Sequence, residues 1–129
     1  FANRGMPQAY TAASAISQGQ LLTLNASGEV APANRSDELQ LVGVARADAS
    51  AGASVLVDSA PGNAYTCKFD VAPSSSDIGS RCFLTSAAGE LTITPPTTSG
   101  RVFVAGTLTT SGSTLSKVLY TPRQIVTIG

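Results

Sequence analysis

The stretch "GQLLTLNASGEV" (residues 19–30) returns later in the chain as "GSRCFLTSAAGEL" (residues 79–91). Laid over one another, the two match Gly19 with Gly79 and Leu24 with Leu84. One inserted residue then brings Gly28 onto Gly89, Glu29 onto Glu90 and Val30 onto Leu91. The continuation "LVGVARADASAGASVLV" (41–57) lies over "RVFVAGTLTTSGSTLSKVL" (101–119). It pairs Val42 with Val102, Val44 with Val104, Ala45 with Ala105 and Gly52 with Gly112. A long period met only twice describes two halves of one domain, because a solenoid needs three or more stacked units to bury its core. On this reading Glu29 and Glu90 are solvent-side turn residues.

Around the repeat, short runs rich in Val, Leu, Ile and Thr alternate with turn residues. "QLLTLN", "SVLVDS", "YTCKFDV", "RCFLT", "ELTITP", "RVFVAGTLT", "LSKVLY" and "QIVTI" read as strands, several with period-two alternation. "NASGE", "ADASAGAS", "SAPGNA", "APSSSDIGS", "TSAAGE", "TPPTTSG" and "TTSGST" punctuate them, and the glycine in each permits a tight turn. The weak helical candidates are "QAYTAASAIS" and "NRSDELQLV", the second as one turn capped by Ser36 or Asp37. The expectation is an all-β domain, a small β-barrel or tulip-like fold built from two related halves, with an extended N-terminal arm. Residues 1–15 form the arm, without a counterpart in the repeat. Residues 16–60 form the first half, 61–76 a connecting strand and loop, 77–120 the second half, and 121–129 a C-terminal strand.

At 129 residues the chain is long enough for one domain with a real core. Only 12% of residues are charged and the formal net charge is zero. No basic excess exists to attract phosphate, and no Trp is present to stack bases, so nucleic acid is not an expected partner. No run reaches the length of a membrane helix, so no membrane association is expected either. A surface this poor in charge is either covered by hydroxyl groups or buried against a partner.

Histidine is absent, which removes Ser-His-Asp and Cys-His nucleophilic arrangements and the commonest metal ligand. Cys67 and Cys82 alone cannot hold a structural zinc, and the eight carboxylates are spread thinly. Neither phosphate-binding glycine pattern occurs. The reading is that this is not an enzyme and uses no cofactor or metal. Placing "AYTCKFDV" and "SRCFLT" in one hairpin sets Cys67 and Cys82 diagonally on a shared face. That is too far apart for easy bonding, so two reduced, buried thiols are favoured over a disulfide.

The phrasing of residues 19–57 resembles that of the capsid cement, or head decoration, proteins of tailed bacteriophages. Four elements carry the resemblance: a Gly-polar-x-Leu strand at residues 19–24, a Gly-x-Val-x-Pro-Ala turn at 28–33, a Gly-Val-Ala strand at 42–47, and an Ala/Gly-rich turn with a valine strand at 51–57. The second half echoes it more weakly, since "VFVAGTL" lacks the Gly-Val-Ala order. The resemblance implies a trimer seated at local three-fold positions on the outer surface of a virion head, gripping the major capsid protein. Assembly would take place in the host cytoplasm.

Within such a protein the arm would supply contacts, and Phe1, Arg4, Met6 and Tyr10 are the residue types enriched at interface anchors. A frayed terminus is the competing reading of the same residues. The alternative function is a carbohydrate-binding or adhesive β-module on a virion or cell surface, for which only Tyr10, Tyr65 and Tyr120 could serve as glycan platforms.

Overall fold

Both related stretches fold into five-stranded antiparallel sheets with one strand order. The computed structural model describes residues 8–33, 41–85, 89–94 and 100–128. The first sheet comprises β1 (Gln8–Thr11), β2 (Leu21–Leu24), β3 (Val30–Pro32), β4 (Leu41–Ala45) and β5 (Ser54–Asp58). The second comprises β6 (Ala64–Lys68), β7 (Arg81–Leu84), β8 (Leu91–Thr92), β9 (Gly100–Leu108) and β10 (Leu115–Ile128). The orders are β1-β5-β4-β2-β3 and β6-β10-β9-β7-β8, so every strand of one sheet has its counterpart in the other. The protein is therefore an all-β, barrel-like domain of two related halves.

This topology corrects two sequence readings. Residues 8–11 do have a counterpart: β1 lines the edge of β5 as β6 lines β10, so arm and connector are equivalent strands. The match continues beyond them, since Ala12 N–H donates to the Ala53 carbonyl as Phe69 N–H does to that of Thr114. Nor do "AYTCKFDV" and "SRCFLT" form a hairpin. β6 pairs with β10 and β7 lies between β9 and β8, so two strands separate Cys67 from Cys82. Both thiols are nonetheless free and buried.

Register confirms the hairpin match and moves the second one. Leu24 faces Val30 as Leu84 faces Leu91, as the repeated turn predicts. In the next strand, however, Leu22 faces Gly43 and Cys82 faces Gly106, with a register shift just after each pair. Gly43 therefore corresponds to Gly106, and pairing Val44 with Val104 is three residues out of step. Both glycines have large positive φ, 149° and 154°. A Cβ on Gly43 would strike the Asp58 carbonyl oxygen, and one on Gly106 that of Leu119. These two carbonyls are themselves equivalent, as the pairings Val44 with Asp58 and Thr107 with Leu119 require. A β-bulge at the same place in each half bends the sheet and needs glycine there.

Smaller elements complete the picture. "QAYTAASAIS" is β1 followed by isolated bridges from Ala12 and Ile16, not a helix. The turn proposed at Ser36 or Asp37 lies outside the described residues. A 3₁₀ turn forms at Ser75–Asp77, within a segment read as plain punctuation. The C-terminal strand is no separate element, because β10 runs through Pro122 with register shifts on either side of Arg123.

Alternation sorts side chains into two cores. Ala12, Ile16, Leu22, Val30, Ala45, Val55 and Val57 form the core of the first half. The larger core holds the second half's Cys67, Phe69, Cys82, Leu84, Leu91, Phe103, Ala105, Leu108, Val118 and Tyr120. Into it reach Leu21, Ala33 and Val44 of the first half. Adjacent Leu21 and Leu22 thus point to opposite faces of β2, one into each core.

Candidate interaction surface

Backbone hydrogen bonds join the halves where Leu21 enters the larger core. The Gly19 carbonyl accepts from Lys68 N–H at 2.8 Å, and Leu21 N–H donates to the Gly89 carbonyl at 2.9 Å. Gly89 N–H donates to the Ala33 carbonyl. The backbones come so close that a Cβ on Gly19 would lie 2.7 Å from Lys68 N, and one on Gly89 2.8 Å from the Leu21 oxygen. The contact is heterologous, because the first half offers residues 19–21 and 33 while the second offers 68 and 89. Lys68 also approaches Glu90 at 3.9 Å; both side chains are part-exposed, so this ion pair adds little.

The second half carries a cleft. It has a volume of about 230 Å³ and lies between residues 70–77 and the segment following β8. Val71, Ile93, Thr92 and Thr94 face it together with Asp70 and Asp77. Gln20 N–H bonds to the Ser17 carbonyl as Ser80 N–H bonds to that of Asp77, which makes Ser17 and Asp77 equivalent. Counted from Ala12 and Phe69, the second loop is therefore three residues longer. In the first half Ile16 folds back and is buried; in the second, Val71 is 72% exposed and Ile78 51%. The only advance signal of this cleft was the extra loop length, which the self-alignment assigned to a connector.

Its carboxylates are committed to holding the loop. Asp77 accepts from Ser74 N–H at 2.9 Å and from the Ser74 hydroxyl at 3.1 Å, and Asp70 accepts from Val71 N–H at 2.7 Å. Such local bonds fix turns. The cleft offers apolar side chains and methyl-bearing threonines beside carboxylates held by the loop's own bonds, which suits contact with another surface. Among the described residues no three metal-ligating side chains cluster.

Of the residues expected at an interface, Phe1, Arg4 and Met6 lie outside the described ones. Tyr10 is in β1 opposite Val55, half-buried beside the first core. Tyr65 donates its hydroxyl to the Ala60 carbonyl at 3.0 Å, and its ring sits 5.7 Å from that of Tyr120. Tyr120 is buried. Neither Tyr65 nor Tyr120 is thus presented as a flat glycan platform. Burial pushes the Tyr120 hydroxyl up to about 12 and the Cys82 thiol up to about 12, and it raises Cys67 further, with Cys82 adding to the effect. The thiols are neutral packing groups within the larger core. No family model matches the chain, and no curated protein or solved structure matches it.

Proposed function

We propose that this chain is a capsid decoration protein of a tailed bacteriophage. It binds the outer surface of the major capsid protein shell as a homotrimer at local three-fold positions and stabilises the head. The observation that carries this reading is the strand-and-turn phrasing of residues 19–57, which runs through β2, β3, β4 and β5. A stiff β-framework with few charges, and with Val71 and Ile78 standing exposed beside a cleft, is suited to surface contact rather than to turnover. Three copies on a symmetric site let individually weak patches add. The protein works by binding, without catalysis or cofactor, on the exterior of a virion assembled in the host cytoplasm.

The arm supplies part of the contact through Phe1, Arg4, Met6 and Tyr10. Because Gln8–Thr11 forms β1, a truncation that tests the arm should stop after residue 7. Purified protein mixed with undecorated, expanded phage heads should co-sediment with them, and the chain lacking residues 1–7 should do so more weakly while keeping its β-sheet circular dichroism. A protein that is strictly monomeric in solution and leaves the heads bare would overturn the proposal.

A further inference from the structure

Each half uses a different side of itself to make the junction between them. Carrying the junction residues across the duplication gives two further faces. The first half's Leu21, Ala33 and Val44 correspond to Arg81, Thr94 and Thr107 of the second. Arg81 and Thr94 are exposed and Thr107 is half-buried. That face has exchanged every apolar residue for a polar one and is suited to water. The second half's Cys67, Leu84 and Ala105, all buried in the core that Leu21, Ala33 and Val44 of the first half enter, correspond to Tyr10, Leu24 and Val42. These three are apolar or aromatic and only half-buried. One face has become hydrophilic, and the other has kept its apolar character without an equivalent cover among the described residues.

The backbone groups match as well. Lys68 N–H, on the outer edge of β6, donates to the Gly19 carbonyl. Its counterpart is Thr11, opposite Ser54 on β1, the edge strand of the first sheet. Ala12 N–H is the group that bonds to the neighbouring strand, at the Ala53 carbonyl, so by strand alternation the amide of Thr11 points away from the sheet. Thr11 is exposed. The counterpart of Gly89, whose carbonyl takes the Leu21 amide, is Gly28, which is exposed with no atom near its Cβ position.

We infer that the face formed by Tyr10, Leu24 and Val42, with the edge amide of Thr11, is a docking site for an extended segment of a partner protein. The segment is of the Gly-polar-aliphatic kind that residues 19–21 present to the second half. Its glycine carbonyl takes the Thr11 amide, and its aliphatic side chain covers Leu24 and Val42. This is β-strand recognition at a sheet edge with an apolar anchor. A second copy of this chain does not supply the segment from its described residues, since its own Leu21 is buried at its junction and the corresponding Arg81 is charged. The inference stands on the duplication and holds whether or not the partner is a capsid shell.

The test titrates a synthetic peptide copying residues 17–24, SQGQLLTL, into the ¹⁵N-labelled full chain. The expected result is saturable shifts of the Thr11, Leu24 and Val42 amides at millimolar peptide, with Cys67 and Lys68 unmoved. A peptide with Asp in place of its first leucine should lose binding at least 10-fold, as should the protein variant Leu24→Lys with an unchanged circular dichroism spectrum. If Leu24→Lys unfolds, Thr11→Pro is the second variant, because it removes only an outward N–H on an edge strand. No shift at millimolar peptide, or shifts confined to residues 67–68, would overturn the inference. So would self-association abolished by Leu24→Lys without peptide binding, which would assign the face to a second copy.

Discussion

Gly28 and Gly89 hold the same place in equivalent hairpins, yet a methyl group on the first would meet nothing and on the second would strike Leu21. Leu24 and Leu84 share a position too, but only Leu84 is fully buried. Leu21 lies in the larger core, whereas its counterpart Arg81 is in solvent. The folding grammar is common to the halves, and the differences between them are differences in what each is packed against. This junction is heterologous, so it takes a different face from each half and leaves two faces over. Here one spare face has become polar and the other has not.

The largest expected effect tests the equivalence itself. Gly43→Ala and Gly106→Ala should both be strongly destabilising, each by at least about 3 kcal/mol, because a Cβ there combines positive φ with a collision against a ladder carbonyl. Urea denaturation should give similar losses for both. A tolerated substitution at either site would mean that the bulges are not the matched devices the register describes.

The next comparison separates the used face from its polar counterpart. Leu21→Ala removes a fully buried side chain from the larger core and should cost about 3 kcal/mol, whereas Arg81→Ala should stay within about 0.5 kcal/mol. Equal effects at the two positions would contradict a one-sided junction. The hairpin tips give a finer contrast. Gly28→Ala carries only the cost of positive φ, about 1 kcal/mol, while Gly89→Ala adds the approach to Leu21 and should lose roughly twice as much. Thermal melts of the two variants side by side decide it.

What could be seen beforehand follows from which signals are local. Strand alternation and turn glycines are written within a few residues, so the sheets, the hairpin tips and the two halves were legible. The register of β4 against β9 was not. Val42, Val44 and Ala45 fall on Val102, Val104 and Ala105 because valine recurs at period two in any strand, and only the bulge glycines mark the true correspondence. β1 was missed as a strand because "QAYT" has no β-branched aliphatic residue and gains its place by pairing with β5. The candidate surfaces were harder still. That Tyr10, Leu24 and Val42 share a half-covered face depends on three strands meeting, and that Leu21 is covered depends on the other half. Tyr10 was singled out as an arm residue and belongs instead to an edge strand, still at the surface.

The smallest effect tests a chemical difference between the cores, since both cysteines lie in the larger one. Burial raises the Cys82 thiol from its ordinary 9.0 to about 12 and the Tyr120 hydroxyl from 10.0 to about 12, and it raises Cys67 as well. These acids are neutral when folded, so above pH 9 the unfolded chain releases protons that the native chain keeps. Stability from this source is therefore fully present below pH 9 and is lost as pH rises toward 12. Urea denaturation should give a constant unfolding free energy from pH 7 to just below 9 and a decline beginning there. Cys67→Ala/Cys82→Ala starts from lower stability because it leaves small voids, but it should decline less steeply between pH 9 and 10, before Tyr120 dominates. The same slope in the parent and the double variant over that interval would show that the thiols are not the groups coupled to folding. The native thiols should also resist a disulfide-exchange reagent at pH 8 and react once urea opens the larger core, because a buried neutral thiol offers neither thiolate nor access.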